Sequence, residues 1–140
     1  MEELRWFGKV LDTQFTDLEI LEVSDLHFGN PYCSLPHFML VIKWLKEKPS
    51  RFFFTNGDLL EAILKSSKGD IYHQVLSPKQ QRDGVLDILI PVKDRLLGMT
   101  DGNHERRIAN ETSVDMTEDM AKMLGVPYRA EGMLFKLSFG

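Results

Sequence analysis

The sequence predicts an α/β fold with a mostly parallel sheet and crossover helices, on three observations. Three short apolar runs, Leu18 to Val23, Arg51 to Asn56 and Arg95 to Thr100, are rich in Leu, Ile, Val or Phe and bounded by turn residues, as buried strands are. Segments with helical apolar spacing lie between them. Each run ends directly in a polar fragment: Asp25-Leu26-His27, Gly57-Asp58 and Gly102-Asn103-His104-Glu105. In open α/β sheets the carboxyl ends of the strands are where ligands bind, so these fragments are expected to converge on one sheet edge.

The elements follow in order. The first residues, Met1 to Val10, mix Glu, Arg, Trp and Lys, with neither a long apolar stretch nor a small-residue cleavage pattern, so secretion and membrane insertion are not expected. After the first strand, Ser34 can cap a helix in which Leu35, Phe38, Met39, Ile42 and Leu45 fall at helical spacing, with Pro36 in the first turn and Pro49 beyond the last. This reads as a crossover helix between parallel strands. A second helix is expected from Asp58, fading near Ser66-Ser67-Lys68-Gly69, and His73 beyond it reads as a surface or packing residue beside Ile71, Val75 and Leu76.

Ser77-Pro78-Lys79-Gln80 is a helix start, with Ser as cap, Pro at the first helical position and Gln placed for a capping box. That helix should run toward Lys93 or Arg95 with Val85, Leu86, Leu89 and Ile90 as its apolar stripe, and Pro91 should kink or restart it. Asp115 with Glu118 opens another helix, in which Met116, Met120, Met123 and Leu124 share a core-facing side and Gly125 and Pro127 mark the end. Phe135, Leu137 and Phe139 alternate with Lys136 and Ser138 as in a half-buried strand.

Composition sets the class. At 140 residues, with 43% hydrophobic and 27% charged residues, the chain reads as one globular domain over 1–140, not as a disordered segment. A formal net charge of −4 argues against a generally basic nucleic-acid binder, although Arg106-Arg107 could meet phosphates or simply open a solvated helix beside Glu105. Cys33 is the only cysteine, which excludes an intrachain disulfide and fits a reducing, cytoplasmic setting. It reads as a small apolar residue near a helix start rather than an activated thiol.

The polar fragments carry the chemistry. Asp25 and His27, two apart, share a face of an extended segment. Asp58 is a carboxylate able to hold one ion on each oxygen, and Asn103 offers a neutral amide oxygen. Such an oxygen and imidazole set suits zinc, iron or manganese better than copper(I) or an iron-sulfur cluster. Two carboxylates against two dications leave net positive charge, which favours a phosphate group as charge builds in transfer. Each fragment also has a plainer reading: Asp25 closing a turn, Gly57-Asp58 capping a helix, and Asp101-Gly102-Asn103 forming a tight turn with His104 as a solvated neighbour.

Taken in order, Asp25-x-His27, Gly57-Asp58 and Gly102-Asn103-His104-Glu105 resemble the first three motifs of the calcineurin-like metallophosphoesterases, with surrounding wording similar to the bacterial and phage branch. The resemblance runs from about Leu18 onward. It implies that Asp25 and His27 ligate a first divalent ion (manganese, iron, zinc or nickel), that Asp58 bridges, that Asn103 ligates a second ion, and that His104 contacts or protonates the leaving group. It also implies a metal-held hydroxide attacking phosphorus in line, on a phosphomonoester, a phosphodiester or a nucleic acid.

Two further His-bearing motifs of that family are missing, since the four histidines are His27, His37, His73 and His104. The chain therefore reads as the first half of an α/β/β/α sandwich, truncated on its C-terminal side and impaired in activity. The alternative is a catalytically inactive remnant or assembly module that keeps the fold. In either case the first sheet and the strand near Phe139 should lack part of their covering, inviting self-association or a partner chain.

Overall fold

In the computed structural model, which describes residues 5–61 and 76–140, strand and helix alternate along the chain. β1 (Trp6–Val10) and β2 (Glu19–Val23) precede α1 (Leu35–Glu47), β3 (Arg51–Asn56) and α2 (Pro78–Leu89). A 3-10 segment, Ile90–Arg95, then leads to β4 (Leu96–Thr100), α3 (Asn103–Thr112), α4 (Met116–Leu124) and β5 (Leu134–Ser138). The class is α/β, as expected.

Strands β2, β3 and β4 form a parallel three-stranded sheet in that order, Glu19 beside Arg51 and Val23 beside Thr55, then Phe53 beside Leu96 and Asn56 beside Thr100. Parallel neighbours require crossovers, and α1 and α2 provide them. Successive side chains of β3 divide between two cores. Phe53 joins Val23, Phe38, Ile42, Leu45, Val85, Leu89, Met99 and Met120 on the helical side. Phe52 packs with Leu11 and Leu97 on the other, against the half-buried Phe54, Phe135 and Leu137.

The helices obey local rules closely. Ser77 and Gln80 form the reciprocal capping box that the sequence spells, the Ser77 side chain accepting from the Gln80 N–H while the Gln80 side chain accepts from the Ser77 N–H. Pro91 falls where α2 gives way to the 3-10 segment, so the expected restart occurs there. Asp115 caps α4 by accepting from the Glu118 N–H, and Gly125 closes it with φ +70°.

Several expectations need correction. No helix begins at Asp58: Leu60 forms a parallel bridge with Phe28, and the Glu61 N–H donates to the Phe28 carbonyl, so Asp58 to Glu61 runs alongside the loop after β2. The remainder of that expected helix, with Ser66 to Gly69 and His73, lies outside the described residues. Ser34 precedes α1 without donating or accepting a capping bond, its hydroxyl meeting the His37 ring instead. Met116, Met120 and Leu124 are buried, but Met123 is 59% exposed, because the stripe of α4 is narrower than the methionine pattern suggests.

The N-terminal segment forms a strand that its mixed composition does not announce. β1 pairs in parallel with β5, Trp6 beside Leu134 and Val10 beside Ser138. This pair leaves Trp6, Val10 and Phe139 exposed. Among the described residues no helix is long and apolar enough to cross a membrane.

Candidate metal centre

All three polar fragments meet at the carboxyl edge of the three-stranded sheet. The loops after β2 and β3 are zipped by main-chain bonds: Asp25 N–H to the Gly57 carbonyl (3.2 Å), His27 N–H to that of Asp58 (3.0 Å) and Phe28 N–H to that of Leu59 (2.8 Å). The loop after β4 approaches so closely that a Cβ on Gly57 would lie 2.3 Å from the Gly102 nitrogen, and one on Gly102 would lie 2.2 Å from Asp58 Oδ1. Only glycine fits such a backbone-to-backbone contact, which explains both Gly57 and Gly102.

Backbone strain is concentrated here. Asp25, His27 and Asp58 have φ of 55°, 49° and 53°, and Ser113 is the only other non-glycine residue with positive φ among those described. Left-handed backbone costs an L-residue about 1 kcal/mol or more, and it persists where surrounding structure over-determines it. The result is a cluster in which one ligand atom each from Asp25, His27 and Asp58 lie within 4.8 Å of one another. Of the sequence-derived ligands, these three are brought together.

His104 sits beside them at the start of α3. Its ring meets that of His27 edge-on, with centroids 4.4 Å apart, and its Nδ1 bonds to the main-chain oxygen of Glu61. A carbonyl only accepts, so Nδ1 carries the proton and Nε2 keeps the lone pair. The His104 N–H donates to Asp58 Oδ1 (2.9 Å), so Asp58 caps α3 from another loop and draws on the positive end of its dipole. Asn103, the first residue of α3, is exposed.

Two residues that sequence reasoning passed over prove central. Glu105 is 1% exposed, and its carboxylate accepts from the N–H groups of Asp58 (3.0 Å) and Leu60 (2.9 Å), fixing the loop that carries Asp58. Burial pushes its carboxyl above the usual 4.5, while the hydrogen bonds it accepts from Leu60, from its own N–H and from Asp58 pull the other way. Glu61 is also buried, its Oε2 lying 3.4 Å from His27 Nδ1. One ligand atom each from His27, Glu61 and His104 form a second group within 4.8 Å. Reading Asp58 as a helix cap hid Glu61; the buried pair Leu59-Leu60 before it was the available signal.

Beneath the site, the Tyr128 hydroxyl lies 2.8 Å from Asp101 and also meets Asp115, tying the end of β4 to the cap of α4. Burial raises the Asp101 carboxyl above its usual range. A cavity of about 510 Å³, lined in part by Asp25, His27, Tyr32, Glu61 and His104, opens on the cluster. Among the described residues no Lys or Arg is ion-paired with Asp25, Asp58 or Glu61: Asp25 meets the Ser24 hydroxyl and the His27 ring, Asp58 the His104 N–H, and Glu61 the His27 ring. Such a donor set fits a divalent cation. No family model, curated protein or solved structure matches the chain.

Proposed function

We propose that the chain is a metal-dependent phosphoesterase of the calcineurin-like metallophosphoesterase type, acting on a phosphomonoester or phosphodiester, nucleic acid included. The observation that carries this reading is the convergence of Asp25, His27 and Asp58 on left-handed backbone at the ends of adjacent parallel strands. In this reading Asp25, His27 and Asp58 hold a first divalent ion, and Asp58 with Asn103 a second; manganese, iron, zinc and nickel all accept the set. Bound there, such ions supply Lewis-acid neutralisation of phosphoryl oxygens and make water more acidic.

The chain's own groups do the rest. Glu105 holds the Asp58 loop in place through two backbone donors, and Asp58 in turn fixes the first turn of α3. His104, with Nδ1–H tied to the Glu61 carbonyl, turns Nε2 outward; as general acid it would act from the imidazolium form, giving its Nε2 proton to the departing alkoxide and returning to the neutral Nδ1–H tautomer. The rest of the family's sandwich is part of the same proposal, supported by the packing of Phe135 and Leu137 on the face opposite the helices. An assembly module without turnover is the second reading, favoured by the exposed Trp6 and Val10 on β1 and Phe139 just past β5, which also suit self-association or a partner chain.

Titration with manganese, together with hydrolysis of paired nitrophenyl mono- and diesters, tests both. Asp58→Asn should lower manganese affinity more than Asn103→Ala, because only Asp58 serves both ions, and His104→Asn should keep manganese affinity while losing turnover. Firm binding of a single ion with little turnover in the unmodified chain supports the assembly reading. Equal losses for Asp58→Asn and Asn103→Ala would remove the bridging role from Asp58.

A further inference from the structure

Glu61 is left without a task by the phosphoesterase reading. Its side chain is 8% exposed, and Oε2 has no hydrogen-bond partner among the described residues. A buried carboxylate in that state is costly unless a cation meets it. It faces His27, whose two ring nitrogens look in different directions: Nδ1 lies 3.4 Å from Glu61 Oε2, and Nε2 lies 3.6 Å from Asp25 Oδ1. The two candidate ligand groups, Asp25 with His27 and Asp58, and His27 with Glu61 and His104, therefore share one imidazole. A neutral imidazole has a single lone pair, so it serves one of them at a time.

We infer that His27 selects between two mutually exclusive metal positions: an oxygen-rich one, His27 Nε2 with Asp25 and Asp58, for a hard ion such as manganese, and a nitrogen-rich one, His27 Nδ1 with Glu61 and His104, for zinc. Ligand chemistry sets the preference, since zinc favours a two-imidazole, one-carboxylate set and manganese favours carboxylates. In each mode the unused ring nitrogen keeps its proton and faces a carboxylate, Glu61 in the first and Asp25 in the second, the usual device for orienting a ligating histidine. His104 is oriented the same way, its Nδ1–H held by the Glu61 carbonyl and its Nε2 left to ligate. The metal choice stands without any assumption about activity. Its consequence for activity rests on the phosphoesterase reading: zinc occupies the nitrogen that would protonate the leaving group, so zinc inhibits where manganese activates.

Manganese bound to the unmodified chain, followed by electron paramagnetic resonance, should be displaced by zinc, one ion for one. In Glu61→Gln zinc loses a charged ligand, whereas manganese loses only the charge on an orienting partner whose amide oxygen still accepts from His27 Nδ1–H, so at least tenfold more zinc is needed for the same displacement once the change in manganese affinity is divided out. Long-range nitrogen–proton spectra of the zinc-loaded unmodified chain give a measurement free of any folding defect in the variant: His27 should carry its proton on Nε2. Manganese retained at Asp25 and His27 beside bound zinc, equal displacement in Glu61→Gln, or a zinc form of His27 protonated on Nδ1 would each overturn the inference. Loss of zinc inhibition with the spectra as expected would instead count against the phosphoesterase reading alone.

Discussion

The two edges of the three-stranded sheet solve the same problem with opposite charge, and only one of them finishes the task. At the amino edge, Arg95 Nη1 donates to the carbonyls of Leu45, Lys48 and Arg51 at 2.9 to 3.1 Å, closing the C-terminal end of α1. Arg51 donates to the Trp44 carbonyl and lies 4.5 Å over its ring, while Glu19 takes hydrogen bonds from Lys48 (2.9 Å) and Arg51 (3.3 Å). At the carboxyl edge carboxylates satisfy N–H groups, as helix dipoles favour. There, however, no Lys or Arg among the described residues pairs with the acids: Asp25 and Glu61 share the one His27 ring, and Asp58 has the His104 N–H. An edge with its charges closed serves stability; an edge with unpaired carboxylates on strained backbone could hold a metal ion.

Substitutions can break that contrast. The largest effect is expected for Gly57→Ala, where a side chain meets the Gly102 backbone at positive φ; urea unfolding should show a loss of about 4 kcal/mol. Glu105→Ala leaves two buried N–H groups without acceptors and should cost about 3 kcal/mol, with manganese affinity falling alongside. Arg95→Met strips carbonyls at the other edge for about 2 kcal/mol, and here manganese titration should be unchanged. A parallel drop in metal affinity for Arg95→Met would erase the distinction between the edges. Asp25→Gly should go the other way, gaining about 0.5 kcal/mol from relieved left-handed strain while abolishing manganese binding.

The smallest effect sharpens the contrast in pH. Burial raises the Glu105 carboxyl, so the folded chain holds that proton more tightly than the unfolded one, and its contribution to stability falls as pH rises from 4.5 through the folded value. Glu19 is lowered by its hydrogen bond to Lys48 and by Arg51, so its contribution is present above 4.5 and is lost as pH falls through the folded value. Urea midpoints measured across this range should lose the acid-side decline in Glu19→Gln. An unaltered profile in that variant would remove the amino-edge ion pairs from the comparison.

Much of the fold was legible because its signals are local. The run Arg51 to Asn56 is β3 to the residue, and the Ser77-Gln80 box and the Asp115 cap are read directly from four-residue spacings. Three ligand candidates were legible for the same reason, each following a strand. What escaped depends on partners far away in sequence. β1 is a strand because β5 offers it an edge, not because Trp6 to Val10 alternates strongly. Glu61 is a buried acid because Phe28 draws Leu60 into a bridge, overriding a plausible helix start at Asp58. Glu105 carried no role in the sequence beyond its place in the Gly102-Asn103-His104-Glu105 fragment, because the N–H groups it accepts from, Asp58 and Leu60, lie more than forty residues away.

The pairing of Trp6 to Val10 with Leu134 to Ser138 has a consequence in time. During synthesis, β2, β3 and β4 can find one another as soon as each crossover is complete, whereas β1, made first, must wait for nearly everything after it. The entropic toll of so long a loop grows only logarithmically with its length, so the pair is not made unstable by it. Its contacts, though, join strands more than a hundred residues apart, and such contacts form late. An early intermediate would then hold the loops that carry Asp25, His27 and Asp58 already assembled, with the β1–β5 pair still unzipped.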